Sequence, residues 1–323
     1  MIDFLKRIVL VLATGYLLAY FSEFSFWAHY NAEMALPVPI FTWLLYSIFS
    51  YFFMITVVKF KARSIWALVI TGSVYGWITE GIITDTLYGS HPEAPFPYSI
   101  SWTGIAWHSL ISVVVGWYIV RKALMENNYN KARKMSIIIG LVYGYWATGW
   151  ILEGAGTSIP LFAAFVFVTT LLLIVSYWFY DILQPLEFKP TKTEIGVLVF
   201  AAVWIFILWT VFPEGKPHNT PALYVLPSLI LIALIALWKN KKTESDTDAL
   251  NFLLKGKVER KTYKALLYIP FVAVIFYSIF YLLPAFAIVT WKPLVYYVLM
   301  PFGFVAFAFS FFRIMQKKPS SLH

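Results

Sequence analysis

The chain has 323 residues, of which 60% are hydrophobic and only 13% charged, with a formal net charge of +9. Apolar stretches of roughly twenty residues recur along it, the length an α-helix needs to cross the hydrocarbon of a bilayer, so an ordinary soluble domain is excluded. The basic residues are scattered at the ends of these stretches and form no patch interleaved with aromatics, which argues against a nucleic-acid partner. Without cysteine there is no disulfide, thiolate metal site or cysteine nucleophile.

In chain order the apolar stretches predict spans at about 4–26, 38–59, 64–88, 100–121, 134–155, 158–182, 193–212, 219–238, 262–287 and 293–314. The fold class is therefore all-α, a polytopic transmembrane bundle of about ten helices in which each helix satisfies its own backbone. The first stretch opens like a secretion signal at Lys6-Arg7, yet it continues through Glu23 and Trp27 without a small-residue cleavage site and reads as a retained first helix.

Orientation follows from the basic loops. Lys6 and Arg7, Lys59 to Arg63, Arg121 to Lys134, Lys189 and Lys192, Lys239 to Lys264, and Arg313 to Lys318 fall on alternate boundaries, whereas Glu33, Asp85, His91, Glu93 and Glu214 mark the opposite ones, with only Lys216 and Lys292 as bases there. Both termini are expected in the cytoplasm, with the chain in a cell membrane.

The organisation expected along the chain is an eight-helix region over 1–238, a cytoplasmic connector over 239–261, and a final helix pair with a basic tail over 262–323. Within the connector, Asp246 or Thr247 is expected to cap a short surface helix carrying Leu250, Phe252, Leu253 and Leu254.

An internal repeat stands out. W-I-T-E-G-I-I-T, Trp77 to Thr84, recurs as W-I-L-E-G-A-G-T, Trp150 to Thr157, and G-x-V-Y-G occurs at Gly72 to Gly76 and again at Gly140 to Gly144. Both copies fall on helices expected to run the same way, a parallel repeat. Y-F-S-E, Tyr20 to Glu23, is a weaker third echo.

Ionisable residues near lipid are costly and therefore mark function candidates. At helical spacing Trp77, Glu80 and Thr84 share a face, and Gly72 and Gly76 beside them permit a neighbouring helix to come close, so Glu80 is expected to point into the bundle. The stretch from Ser101 supplies a small polar stripe in Ser101, Gly104, His108 and Ser112. His108 and Glu80 lie at similar depth, roughly 12 Å below the outer helix ends, and are expected to meet as a proton donor-acceptor pair. A plain ion pair that fixes helix register is the competing reading. Glu153 and Glu23 lie shallower and complete the candidate set for substrate binding or proton relay.

Asp85, His91, Glu93 and His218 occur without metal-site spacing, and no phosphate loop or nucleophile elbow is present, so neither metal nor cofactor is expected. W-x-x-E-G-x-x-T with the following Tyr88-Gly89 resembles a fragment of carotenoid hydratase-type membrane proteins, a resemblance that would make Glu80 the matching acid. It covers Trp77 to Gly89 alone, the spacing departs after the glutamate, and the remaining helices do not match, so no family is assigned.

The foremost functional reading is a transporter or permease-like protein whose outer-half cavity, lined by glutamate and histidine, handles a cationic or polar solute. An intramembrane enzyme using the same pair as acid and base on a lipid or isoprenoid, and a structural assembly subunit, stand beside it. Expected partners are membrane lipids, a small solute or lipid-like substrate, and a further copy of the chain in a homo-oligomer.

Overall fold

The computed structural model describes residues 2–27, 37–82, 84–91, 94–152, 154–184, 186–211, 222–243, 247–283 and 291–317. All regular structure among them is helical: α1 (Ile2–Ser22), α2 (Pro37–Lys59), α3 (Ile65–Ile82), α4 (Ile100–Met125), α5 (Tyr129–Leu152), α6 (Ile159–Ile182), α7 (Lys192–Val211), α8 (Ala222–Thr243), α9 (Ala249–Lys255), α10 (Arg260–Leu282) and α11 (Trp291–Met315). Nine helices among the described residues are long and apolar enough to cross a membrane. Helix α7 covers the remaining expected span.

Local chemistry sets several helix ends. At α7, Thr191 Oγ1 accepts from the Glu194 amide at 3.1 Å while Glu194 Oε2 accepts from the Thr191 amide at 2.5 Å, a reciprocal box that satisfies two donors left over by the first turn. At α9 Asp248 Oδ1 accepts the Asn251 amide at 2.9 Å, so the cap is Asp248 and not Thr247, while Asp246 lies outside the described residues. Leu250, Leu253 and Leu254, expected on a surface helix, are all three buried.

The chain forms two compact units. The first comprises Met1–Ser47, Val115–Leu186 and Leu253–Leu294. Its core is a set of aromatic side chains whose polar ends find partners, as buried hydroxyls must where no water can serve them. Tyr180 OH meets Thr14 Oγ1 and receives the Trp117 Nε1–H, both at 2.7 Å, while Tyr16 donates to the Thr169 carbonyl at 2.8 Å and Tyr177 to the Gly116 carbonyl at 2.5 Å. Helix α5 packs on α10 through Gly140 and Gly144, where a Cβ would press on Ile269, Val272, Ala273 and Phe276.

The second unit comprises Ile48–Val114, Glu187–Phe252 and Val295–His323. Here α3 packs against α4 at Gly72 and Gly76. A Cβ on Gly72 would meet Ser109, and one on Gly76 would meet the Gly104 backbone. The ascending numbers on α3 meet descending numbers on α4, so the two helices are antiparallel.

Helix α4 departs from the α geometry that its polar stripe assumed. Over Ile100–Val120 it is wound as a π-helix, with wider turns and i→i−5 bonding. Gly104, His108, Ser109, Ser112, Val113 and Trp117 are among its buried residues, while Val115 and Ile119 are exposed. Ser112 Oγ bonds the carbonyl five residues back, at Trp107, at 3.4 Å.

Candidate functional site

Helix α3 ends at Ile82, short of the span expected to reach residue 88. Gly81 weakens the helix there, and the Thr84 hydroxyl donates to the Glu80 carbonyl at 3.1 Å, satisfying one acceptor of the last turn. The chain then makes a single tight turn at Thr86–Tyr88. Gly89 follows with φ +89°, and its α-carbon faces the Phe96 backbone so closely that a side chain has no room. This reversal carries Thr86 back over the end of α3.

The result is a carboxylate held from three sides. His108 Nε2 lies 2.5 Å from Glu80 Oε1. Glu80 Oε2 accepts from the Thr84 hydroxyl at 3.3 Å and from the Thr86 hydroxyl, and the two threonines are themselves joined at 2.8 Å. The His108 ring stands edge-on to Tyr75, with ring centroids 5.6 Å apart. His108 is 1% exposed and Glu80 8%, so the pair is buried between two helices, α3 and α4, each long enough to cross a membrane.

Antiparallel packing explains how these side chains meet. On α3, Glu80 lies one turn beyond the Gly76 contact, roughly 6 Å along the axis. On α4, His108 lies about a turn beyond Gly104 in the opposite direction. Helical side chains lean toward their own N-terminus, so Glu80 leans back toward the glycine contact and His108 leans up toward it. Pairing comes from this lean across a close crossing, and not from equal backbone depth.

Trp77 is also buried, at 1% exposure. Its Nε1–H donates to the Ile100 carbonyl at 3.0 Å, and its ring packs on Phe307 with centroids 5.1 Å apart. Trp150, its counterpart in the second copy, donates in the same manner to the Phe26 carbonyl at 2.9 Å. Glu23, in the other compact unit, accepts from Tyr46 OH at 2.6 Å and from Trp27 Nε1 at 3.1 Å. Glu153 lies outside the described residues.

A second polar cluster, in the first unit, was read from the sequence only as a boundary cation. Arg121 is fully buried and ion-paired with Asp181 at 2.6 Å. Its guanidinium also donates to Tyr263 OH at 2.9 Å and to the Gly256 carbonyl at 2.8 Å, while Tyr263 OH donates to the other Asp181 oxygen at 2.7 Å. The available signal was Asp181 itself, an acid ending an apolar span on a boundary that also carries Lys189 and Lys192. Thr86 carried no such signal, since its approach depends on the turn after α3.

Among the described residues no three His, Asp or Glu side chains stand together as a metal site requires. Comparison of the chain with protein-family models, with curated proteins and with solved structures finds no match. The chain is a multi-pass membrane protein, with nine spanning-length helices among its described residues and one deeply buried glutamate-histidine contact.

Proposed function

We propose that this is a permease-like protein of the cell membrane, with both termini in the cytoplasm, in which Glu80 and His108 exchange a proton as a cationic or polar solute is moved. The observation that carries the reading is the 2.5 Å contact between a carboxylate and an imidazole, both buried on spanning helices. Ionisable groups buried on spanning helices are the usual components of proton relays in transporters. Thr84 and Thr86 support the role by holding the second carboxylate oxygen, so that charge on Glu80 retains hydrogen bonds when His108 gives or takes its proton.

The experiment is flux in proteoliposomes with a trapped pH-sensitive dye. Addition of ethidium, tetraphenylphosphonium or methylammonium is expected to move protons in the wild type for at least one cation. Glu80→Gln and His108→Gln are expected to abolish that coupled movement. No cation-dependent proton movement across this panel, or equal movement in wild type and both variants, overturns the reading.

A further inference from the structure

The second unit contains a cavity of about 350 Å³ between α2, α7 and α8, and it has no connection with the Glu80 chemistry. Its walls are mostly apolar, including Phe52, Ile55, Leu198 and Leu234; the Thr56 hydroxyl there is spent on the Phe52 carbonyl at 2.8 Å, and the charged lining residue is Lys59, the last residue of α2, with Trp238 also on the wall. Phe52 to Lys59 spans roughly 10 Å along α2 at 1.5 Å per residue, giving a slot with a greasy end and a cationic end. Its volume lies at the lower end of the range of about 300–1,000 Å³ for small-molecule sites.

We infer that this slot is a seat for an anionic phospholipid, with part of an acyl chain between α2, α7 and α8 and the phosphate on Lys59. Lys59 is exposed, and among the described residues no carboxylate bonds it. Trp238, 57% exposed, carries Lys241 over its ring at 6.0 Å, the pairing of amphipathic ring and cation found at headgroup level. The seat is prebuilt, because Asn240 on α8 donates to the Phe60 and Lys61 carbonyls at 3.0 and 3.3 Å and ties α8 to the end of α2. A cationic solute would be repelled by Lys59, and a zwitterionic lipid would place its own cation beside it.

Native mass spectrometry of the detergent-purified protein tests this with phosphatidylglycerol and phosphatidylcholine of matched chains. Wild type is expected to retain phosphatidylglycerol preferentially. Lys59→Gln is expected to reduce that retention about fivefold, the loss anticipated for one surface cation, while Lys59→Arg keeps it and Leu198→Trp, which fills the slot, loses it. Lys122→Gln, another exposed base, should leave it unchanged, and melting temperatures report whether each variant is folded. Equal retention of the two lipids by the wild type overturns the inference. So does a Lys122→Gln loss as large as that of Lys59→Gln, which would mean diffuse surface charge, or full retention in a folded Leu198→Trp.

Discussion

The backbone of Gly76 faces the backbone of Gly104 so closely that a single added Cβ on Gly76 would meet the Gly104 carbonyl. This contact sets the register of α3 on α4, and with it the meeting of Glu80 and His108, each about one turn away from it in opposite directions. A backbone cannot yield as a flexible side chain can.

Gly76→Ala is therefore expected to destabilise the protein by about 1–3 kcal/mol, the usual cost of overpacking. Gly196→Ala, in α7 with nothing within 4 Å of the new methyl, should be neutral or stabilising by about 0.5–1 kcal/mol. Thermal unfolding in detergent compares the two. Equal melting temperatures would mean that α3 and α4 do not touch at Gly76.

Glu80 and His108 should behave as one unit in a double-mutant cycle. With Glu80→Ala, His108→Ala and the double variant, the coupling energy is expected within about 0.5–3 kcal/mol, the range for residues in direct contact. Unfolding free energies that add to within about 0.5 kcal/mol would show that the contact contributes nothing to the folded state.

Arg121→Met should cost about 3–5 kcal/mol, because it strands the Asp181 carboxylate and Tyr263 hydroxyl in a buried site. The double variant Arg121→Met with Asp181→Asn should recover part of that loss, since the unpaired charge is gone. Chemical unfolding of the single and double variants checks this; a double variant less stable than Arg121→Met alone would remove the ion pair as the reason for the cost.

Topology is testable because the chain has no cysteine of its own. Ser90→Cys and Asn128→Cys place single thiols at exposed positions on opposite sides of the expected bilayer. An impermeant maleimide added to intact cells should label Ser90→Cys and leave Asn128→Cys untouched until the membrane is opened. Labelling of Asn128→Cys in intact cells would reverse the orientation read from the basic loops.

Much of this protein follows from the sequence alone, for a physical reason that is local. Apolarity and length add up along a single stretch, so the spanning helices could be read residue by residue, and the capping box at Thr191 and Glu194 is a four-residue pattern. Gly72 and Gly76 made a close neighbour for α3 legible, and with it the inward turn of Glu80; the meeting with His108 was expected from similar depth, whereas the contact arises across the Gly76–Gly104 crossing from side chains that lean toward it. Tertiary structure decided what no single stretch encodes. Thr86 reaches Glu80 only because α3 stops at Ile82 and the chain folds back over its end; Arg121 meets Asp181 and Tyr263 only because segments about 60 and 142 positions away in sequence pack beside it. The π-winding of α4 likewise is not written in its residue types. Such pairings depend on where helices cross and which way their side chains lean, quantities fixed by the packing of distant segments against one another.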